Sequence, residues 1–186
     1  MAVNCPARFV DDLATRLDAW RRELPLAWTS ARNWHLTLMF LGEWPTAHLP
    51  ALRAGLAEEV AGWAPFTVQP GAVDAFPSLK APRVLFLQFL PLAGGPLHAL
   101  AAGVRARVES VWPAGPQDRK AFKPHLTLAR IKDPLSRDQR EILGRIDLGA
   151  WPAQPIDTVR LVASELRPQG ARHVDQAVLP LGPRGS

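Results

Sequence analysis

One tetrapeptide, His-Leu-Thr-Leu, occurs twice in the chain, at residues 35–38 and 125–128. Both copies lie in short segments rich in Leu, Thr, Phe and Ile that are bounded by Gly or Pro, which predicts β-strands. Side chains two residues apart on a strand share a face, so each His shares a face with its Thr, while the Leu residues point the other way. The chain therefore carries two half-sites, each with one imidazole and one hydroxyl.

Two imidazoles in one groove can perform acid–base chemistry near neutral pH. An unperturbed His titrates near about 6.5, so of His35 and His125 one can be neutral while the other is protonated. The hydroxyls of Thr37 and Thr127 can donate hydrogen bonds to the non-bridging oxygens of a phosphate. This set suits hydrolysis of a phosphodiester, in which one imidazole takes a proton from water and the other gives one to the leaving oxygen.

The repeat also has other interpretations. A tetrapeptide of common residues can recur by chance, and an ordinary half-buried strand alternates in the same way. Metal-assisted hydrolysis is a competing chemistry, but the copies lack neighbouring Asp, Glu, Cys or extra His at ligand spacing, and Thr is a poor zinc ligand. The sequence also has no nucleophile-elbow motif and no Gly-rich phosphate loop. We therefore predict that the chemistry uses no metal and no cofactor.

The composition is that of a globular chain, with 47% hydrophobic and 21% charged residues among 186. No apolar run reaches the roughly 18 residues that would span a bilayer, so we expect no membrane association. The N-terminus shows no signal peptide, and the single cysteine, Cys5, fits a reducing compartment, which predicts a cytoplasmic protein. The net charge of +5 comes from arginine and weakly favours phosphate-bearing partners.

The order of predicted elements favours an α+β fold. Helices are expected where apolar residues recur at steps of three and four, and strands where short apolar or alternating runs occur. The predicted helices cover residues 6–23, 46–63, 95–111 and 136–146, and the predicted strands begin near residues 2, 35, 66, 72, 83, 125, 159 and 174. Hairpins mixed with helices argue against a doubly wound parallel sheet. We expect one domain over residues 1–186, made of two interleaved, pseudo-twofold-related lobes whose antiparallel sheets face a central groove with helices outside.

The paired motifs resemble the H-x-T-x motifs of the 2H phosphoesterase superfamily. Their flanks narrow the resemblance, because the first copy continues into Phe40-Leu41-Gly42 and the second follows Lys123-Pro124 and continues into Ala129-Arg130. These features are similar to the LigT-like RNA 2′,3′-cyclic phosphodiesterases, first described as 2′–5′ RNA ligases. The likeness extends over nearly the whole chain. One departure is that the family's first strand usually begins several residues before the position of Ala2. Either part of the groove wall is missing there or the start is misassigned, and this bears on substrate affinity and not on the His and Thr pairs.

The resemblance implies hydrolysis of an RNA 2′,3′-cyclic phosphate to a 2′-phosphate without a metal. We expect joining to a 2′–5′ linkage as an additional reaction. It gives His35 the role of protonating the leaving oxygen and His125 the role of activating water. Thr37 and Thr127 match the threonines that hold the phosphate. Arg130 matches a basic residue that contacts it, although an ideal strand would turn Arg130 to the face opposite His125, so this role requires a bend or a long reach.

Several points stay open at this level. Phe40 can stack on a base in the groove, but an aromatic residue on a strand is more often core. The partner is expected to be RNA ending in a 2′,3′-cyclic phosphate, and the protein is expected to be a monomer.

Two alternative functions stay open. The protein could be a phosphodiesterase for another cyclic phosphate or nucleotide-derived substrate, or a non-catalytic RNA-binding module. The remaining histidines, His48, His98 and His173, are predicted to be solvated on helices or in a turn.

Overall fold

The computed structural model describes residues 1–91, 93–113, 115, 121–167 and 170–183, and for residues 166, 167 and 170–172 it describes the backbone only. The helices are α1 (Ala7–Glu23), α2 (Leu49–Ala61), α3 (Gly95–Val111) and α4 (Arg137–Gly144). The strands are β1 (Ala2–Val3), β2 (Ala27–Trp28), β3 (Leu36–Thr37), β4 (Phe66–Phe76), β5 (Val84–Leu90), β6 (His125–Arg130), β7 (Gln154–Ile156), β8 (Thr158–Arg167) and β9 (Gly170–Pro180). None of the helices in this described part is both long and apolar enough to cross a membrane.

The strands form one curled antiparallel sheet in the order β7-β4-β5-β6-β3-β1-β8-β9, with β2 pairing onto β6 beside β3. The predicted α+β class with antiparallel strands is confirmed. The pair β3–β6 lies in the middle of this order, so the two predicted sheets are joined edge to edge at the strands that carry the repeated motif. The first copy of the motif therefore lies beside the second in the middle of the sheet.

The apolar face of these central strands lies in the core. Leu36 and Leu126 are opposite each other and have no exposed surface. They belong to the same buried cluster as the inner stripes of the helices, including Leu13 of α1, Leu56 of α2 and Val104 of α3. Truncation of a leucine in such a site costs about 2–5 kcal/mol, so the two strands are firmly anchored on this side. The polar residues of the motif are left on the opposite face.

The helix predictions agree with the structure to within a few residues. Ser136 caps α4 with its hydroxyl, and Gln139 completes the capping box by accepting from the Ser136 backbone N–H. The predicted strands near residues 66 and 72 are one strand, β4, with an irregularity between Pro70 and Val73. The two- and three-residue strands β2 and β7 were not predicted, because segments this short carry no periodic signal.

Candidate active site

The register of β3 against β6 brings the four motif side chains together. Leu36 pairs with Leu126, and continuing this antiparallel register by one residue sets His35 opposite Thr127 and Thr37 opposite His125. Both copies show the same alternation, in which the His and Thr are half-buried and the Leu residues are buried. Each imidazole therefore has a hydroxyl beside it on its own strand and another across the strand pair.

The spacing of an antiparallel pair sets the separation of the two imidazoles. Directly opposite residues have Cβ atoms about 4.5–5.5 Å apart, and diagonal ones about 7–8 Å. The four side chains form the corners of a square on the face of the sheet. His35 and His125 lie on one diagonal of it, and Thr37 and Thr127 lie on the other. A phosphate bound by hydrogen bonds of about 2.8 Å on two sides fits across such a gap. The arrangement can place two imidazoles and two hydroxyls around a single phosphorus.

Both imidazoles are fixed by the same local hydrogen bond. His35 Nδ1 lies 2.8 Å from the Asn33 carbonyl oxygen, and His125 Nδ1 lies 2.7 Å from the Lys123 carbonyl oxygen. A carbonyl oxygen can only accept, so Nδ1 carries the proton and donates it in both cases. The other nitrogen, Nε2, is then the one that can take a proton when the ring is neutral or give one when it is charged.

Burial and nearby charge act on both rings. Burial is the largest influence on the pKa of His35 and lowers it below the ordinary value, against the hydrogen bond to Asn33, which raises it. Positive charge on His173, on the Met1 amino group and on His125 lowers the pKa of His35 further. The pKa of His125 is also lowered by burial, and the hydrogen bond to Lys123 opposes this. Each ring therefore releases a proton more readily than a free imidazole does.

A cavity of about 550 Å³ opens beside the first half-site. Its lining includes His35 and Thr37, the segment from Met39 to Gly42, and residues of β8 and β9. His125 and Thr127 are not part of that lining. We call this cavity the side chamber of the first half-site, because His35 and Thr37 are the motif side chains that line it.

The second half-site is bordered by aromatic rings. The ring of His125 meets Phe76 at 5.0 Å and Phe86 at 5.3 Å between centroids, edge to face in both cases. Phe76 and Phe86 stack on each other at 4.1 Å, and the Lys123 ammonium lies 5.7 Å from the Phe76 centroid. This wall packs against the His125 imidazole and restrains its rotation.

Arg130 reaches the exposed side through a β-bulge. Phe86 pairs with Thr127 and Leu85 pairs with Ala129, so Leu128 has no partner of its own on β5. Leu128 and Ala129 are buried in succession, and Arg130 is exposed. The extra residue resets the alternation and turns Arg130 away from the core, toward the side of Thr127. This is the bend that an ideal strand lacks.

Phe40 occupies the corresponding place in the first copy, five residues after its His. Leu38 and Met39 are buried in succession there, and both donate their backbone N–H to the Met1 carbonyl, at 2.9 and 3.4 Å. Phe40 is 69% exposed and lines the side chamber. The core interpretation of Phe40 is therefore wrong, because a bulge-like step turns this position outward as it does at Arg130.

His173 was predicted to be solvated in a turn, and this prediction is wrong. It lies on β9, pairs with Ser164 on β8, and its ring is 5.0 Å from that of His35. The predicted strand began one residue later, at Val174. The signal that could have found His173 is the long hairpin itself, since carrying the pairing back to the Gly170 turn adds His173 to the strand.

The other two histidines lie outside the site. His48 is exposed, as predicted. His98 is half-buried, with its ring 5.1 Å from that of Phe122, so the prediction of a solvated side chain is wrong there. The polar position of His98 on its helix faces the segment that leads into β6, a contact that helical periodicity alone does not show.

No group of three His, Cys, Asp or Glu residues within the described ranges is placed to hold a metal ion. The groups that can contact a ligand in this site are two imidazoles, two hydroxyls and the guanidinium of Arg130. A third imidazole, that of His173, lies beside His35.

Comparison with known proteins gives a consistent result. The family model described as the 2′-5′ RNA ligase superfamily matches residues 9–166. A Thermus thermophilus protein named RNA 2′,3′-cyclic phosphodiesterase is 39% identical over 142 residues, which are 73% of this chain and 66%, about two thirds, of that protein. A protein of the same name from Aquifex aeolicus is 27% identical over 168 residues, covering 88% of this chain and 87% of the relative.

Solved structures share the fold. A crystal structure of a Thermus thermophilus protein superposes with a TM-score of 0.81 and 29% identity, covering 99% of this chain and 97% of that one. A crystal structure of Escherichia coli LigT complexed with 3′-AMP gives a TM-score of 0.71 at 22% identity, covering 97% and 95% of the two chains. At that identity the second likeness shows the fold alone.

Proposed function

The chain belongs to the 2′-5′ RNA ligase superfamily, and we propose that it hydrolyses RNA 2′,3′-cyclic phosphate ends to 2′-phosphates by two-histidine acid–base catalysis. The protein is an enzyme of the phosphoric diester hydrolase class, in keeping with relatives from several organisms that are named RNA 2′,3′-cyclic phosphodiesterase. The finer assignment of residues and steps is our proposal.

One observation carries the mechanism: the β3–β6 register sets His35 and His125 on one diagonal, with Thr37 and Thr127 on the other. Two groups that act on opposite sides of one phosphorus need this separation. The matching hydrogen bonds from Nδ1 to the backbone supply the second requirement, because they leave Nε2 of each ring available for proton transfer.

In the proposed step, neutral His125 takes a proton from a water molecule as the water oxygen bonds to phosphorus. The bond between phosphorus and O3′ breaks, and His35, protonated, gives its proton to O3′. The products are a 3′-hydroxyl and a 2′-phosphate, with His125 protonated and His35 neutral. Proton exchange with solvent restores the starting state.

In this proposal the hydroxyls stabilise the transition state, and the guanidinium attracts the anionic substrate. Thr37 and Thr127 donate to the non-bridging oxygens, where negative charge increases in the transition state. Arg130, turned outward by the bulge, adds positive charge at the edge of the site. Phe40, exposed at the mouth of the side chamber, offers a ring on which a base can stack.

The same chemistry allows joining. If the 5′-hydroxyl of a second RNA replaces water, its oxygen bonds to phosphorus, O3′ leaves and a 2′–5′ linkage results. The proposal includes no metal, since the two imidazoles supply both proton transfers. Metal independence stays a prediction that the following experiment tests, and joining stays a prediction whose test needs a second RNA with a 5′-hydroxyl.

The test uses an oligoribonucleotide with a 2′,3′-cyclic phosphate end, incubated with the full chain and excess chelator in ¹⁸O-labelled water. We expect turnover to a 2′-phosphate that carries one ¹⁸O atom, and a free 3′-hydroxyl. Mononucleoside 2′,3′-cyclic phosphates and a 3′,5′-cyclic nucleotide, run in parallel, report on substrate class. His48→Gln is the matched control, because His48 is an exposed histidine outside the site.

The outcomes separate the alternatives. Binding of the oligonucleotide without turnover would identify a non-catalytic RNA-binding module. Faster turnover of the 3′,5′-cyclic nucleotide would favour the alternative substrate class. Activity that is lost on chelation and regained with added metal would contradict two-histidine catalysis. A 3′-phosphate product would contradict the assignment of O3′ as the leaving oxygen.

A further inference from the structure

A third imidazole stands next to one of the two proposed catalytic ones. The rings of His35 and His173 are 5.0 Å apart between centroids with an interplanar angle of 77°, so the edge of one meets the face of the other. Both residues line the side chamber. His173 comes from β9, which is separated from β3 by β1 and β8 in the strand order, and its ring nevertheless contacts that of His35.

His173 is itself held in place. It pairs with Ser164 in the β8–β9 ladder, and its Nδ1 lies 3.1 Å from the Ser164 hydroxyl oxygen. A ring that is fixed by a hydrogen bond on one side can restrain the ring it touches on the other. His35 is thus held at two points, by the Asn33 carbonyl at Nδ1 and by His173 against the ring.

The second half-site is walled by uncharged rings. The ring neighbours of His125 among the described residues are Phe76 and Phe86, which pack against it in the same edge-to-face manner but carry no charge at any pH. The two imidazoles of the repeated motif therefore differ in one chemical respect. One contacts a ring that can become a cation, and the other contacts rings that cannot.

We propose that His173 is a positioning residue for the reaction, which fixes the ring of His35 and, through its own charge, sets how readily His35 holds a proton. The proposal rests on the proposed function, because it assigns His173 a role only through His35. Two like charges about 5 Å apart in a half-buried site repel each other, so a positive charge on His173 disfavours protonation of His35. As the proton donor, His35 then releases its proton to O3′ more readily.

Other charges also surround His35. His125 on β6 also acts on it, as does the Met1 amino group next to β1, although burial lowers the pKa of that amino group to about 5 and leaves it largely uncharged at neutral pH. Along β8 and β9, Arg160 and Asp175 pair with each other at 2.6 Å and largely cancel. His173 is the ionisable group whose ring contacts His35 directly, so its removal should change the pKa of His35 more than removal of the other charges would.

The experiment compares His173→Phe with His173→Ala in the full chain. Phenylalanine keeps a ring against His35 and removes the charge, whereas alanine removes both. Profiles of kcat/KM against pH are measured on the cyclic-phosphate oligonucleotide, and circular dichroism and Tm check that each variant is folded. His48→Phe is the control, since His48 also contacts an aromatic ring, that of Trp112, outside the site.

In His173→Phe we expect the alkaline limb of the profile to move to higher pH by roughly half a pH unit to one unit, with kcat at the optimum within about twofold of wild type. His173→Ala should show the same movement and an additional loss of kcat of about fivefold, because one restraint on His35 is gone. The acid limb and the His48→Phe profile should not move.

Movement of the acid limb alone would support the coupling of His173 to His35 and reverse the acid and base roles given above. If neither limb moves, or both move equally, the proposal is overturned, while continued turnover by the wild type leaves the proposed function intact. Absence of turnover in the wild type would instead contradict the proposed function itself.

Discussion

The two His-Leu-Thr-Leu strands carry the same four residues and the same backbone hydrogen bond at Nδ1, but their surroundings differ. The first strand borders a cavity of about 550 Å³ and an ionisable neighbour, His173. The second borders a wall of two stacked aromatic rings. Five residues after each His, the first strand presents Phe40 and the second presents Arg130.

This comparison separates what the motif supplies from what the neighbouring strands supply. The motif and its register supply two equivalent proton-transfer groups and two hydroxyls, which require only β3, β6 and the residues two positions before each His. The unequal parts come from elsewhere, from β4 and β5 at the second half-site and from β8 and β9 at the first. An apparently symmetrical pair can thus perform two different proton transfers in one step.

The largest expected effect comes from removing either imidazole. His35→Ala and His125→Ala should each lower kcat/KM by about 10²- to 10⁴-fold, the range typical of general acid–base groups. The double variant should lose little more than the worse single one, since both groups act in one step. Steady-state kinetics on a cyclic-phosphate oligonucleotide would measure this. Additive losses would indicate that the two half-sites work on separate events.

The hydroxyls give the next test of equivalence. Thr37→Val and Thr127→Val keep the shape of the side chain and remove one donor each. A hydrogen bond to a charged group is worth about 1.5–3 kcal/mol, so each change should lower kcat/KM by roughly 10- to 100-fold. Similar losses would support two hydroxyls on one phosphate, and a loss confined to one variant would break the symmetry of the half-sites.

Arg130 and Phe40 occupy equivalent outward positions, five residues after the His of each copy, so their substitution compares the two half-sites at this position. Arg130 is exposed, so Arg130→Gln should raise KM by about two- to fivefold with little change in kcat, and added salt should reduce the difference. Phe40→Leu should raise KM by a similar factor without that salt dependence, because stacking is not a charge effect. A fall in kcat for Arg130→Gln would instead place the guanidinium at the reacting phosphate.

The smallest effect concerns stability against pH. Burial lowers the pKa of His35 and His125 in the folded protein, whereas in the unfolded chain they titrate near 6.5. The unfolded state then binds more protons as the pH falls below about 6.5, so the free energy of unfolding should decrease from pH 7 to pH 5. The double variant His35→Gln/His125→Gln should show a shallower slope of the free energy of unfolding against pH than wild type or His48→Gln. Urea unfolding at several pH values would measure this. An equal slope would mean that these rings are not buried in their neutral form.

The sequence was sufficient for the parts of this site that follow from local periodicity. Alternation in the two copies predicted that His and Thr share a face, and helix stripes predicted elements such as α1 and α3. It could not predict that β3 and β6 are direct neighbours, because strand pairing is a long-range property that no local pattern encodes. The bulges before Phe40 and Arg130 and the contact of His173 with His35 depend on the same pairing and on the curl of the sheet.

The central claim is that both imidazoles act on one phosphorus, and a crystal structure with a bound 2′-phosphate product nucleotide tests it most directly. The account predicts Nε2 of His125 within about 3.2 Å of an oxygen on the phosphorus and Nε2 of His35 within about 3.2 Å of the 3′-hydroxyl of the same nucleotide, with the Thr37 and Thr127 hydroxyls on the remaining phosphate oxygens. A phosphate that contacts only one of the two imidazoles, with the other turned to a separate region, would contradict it.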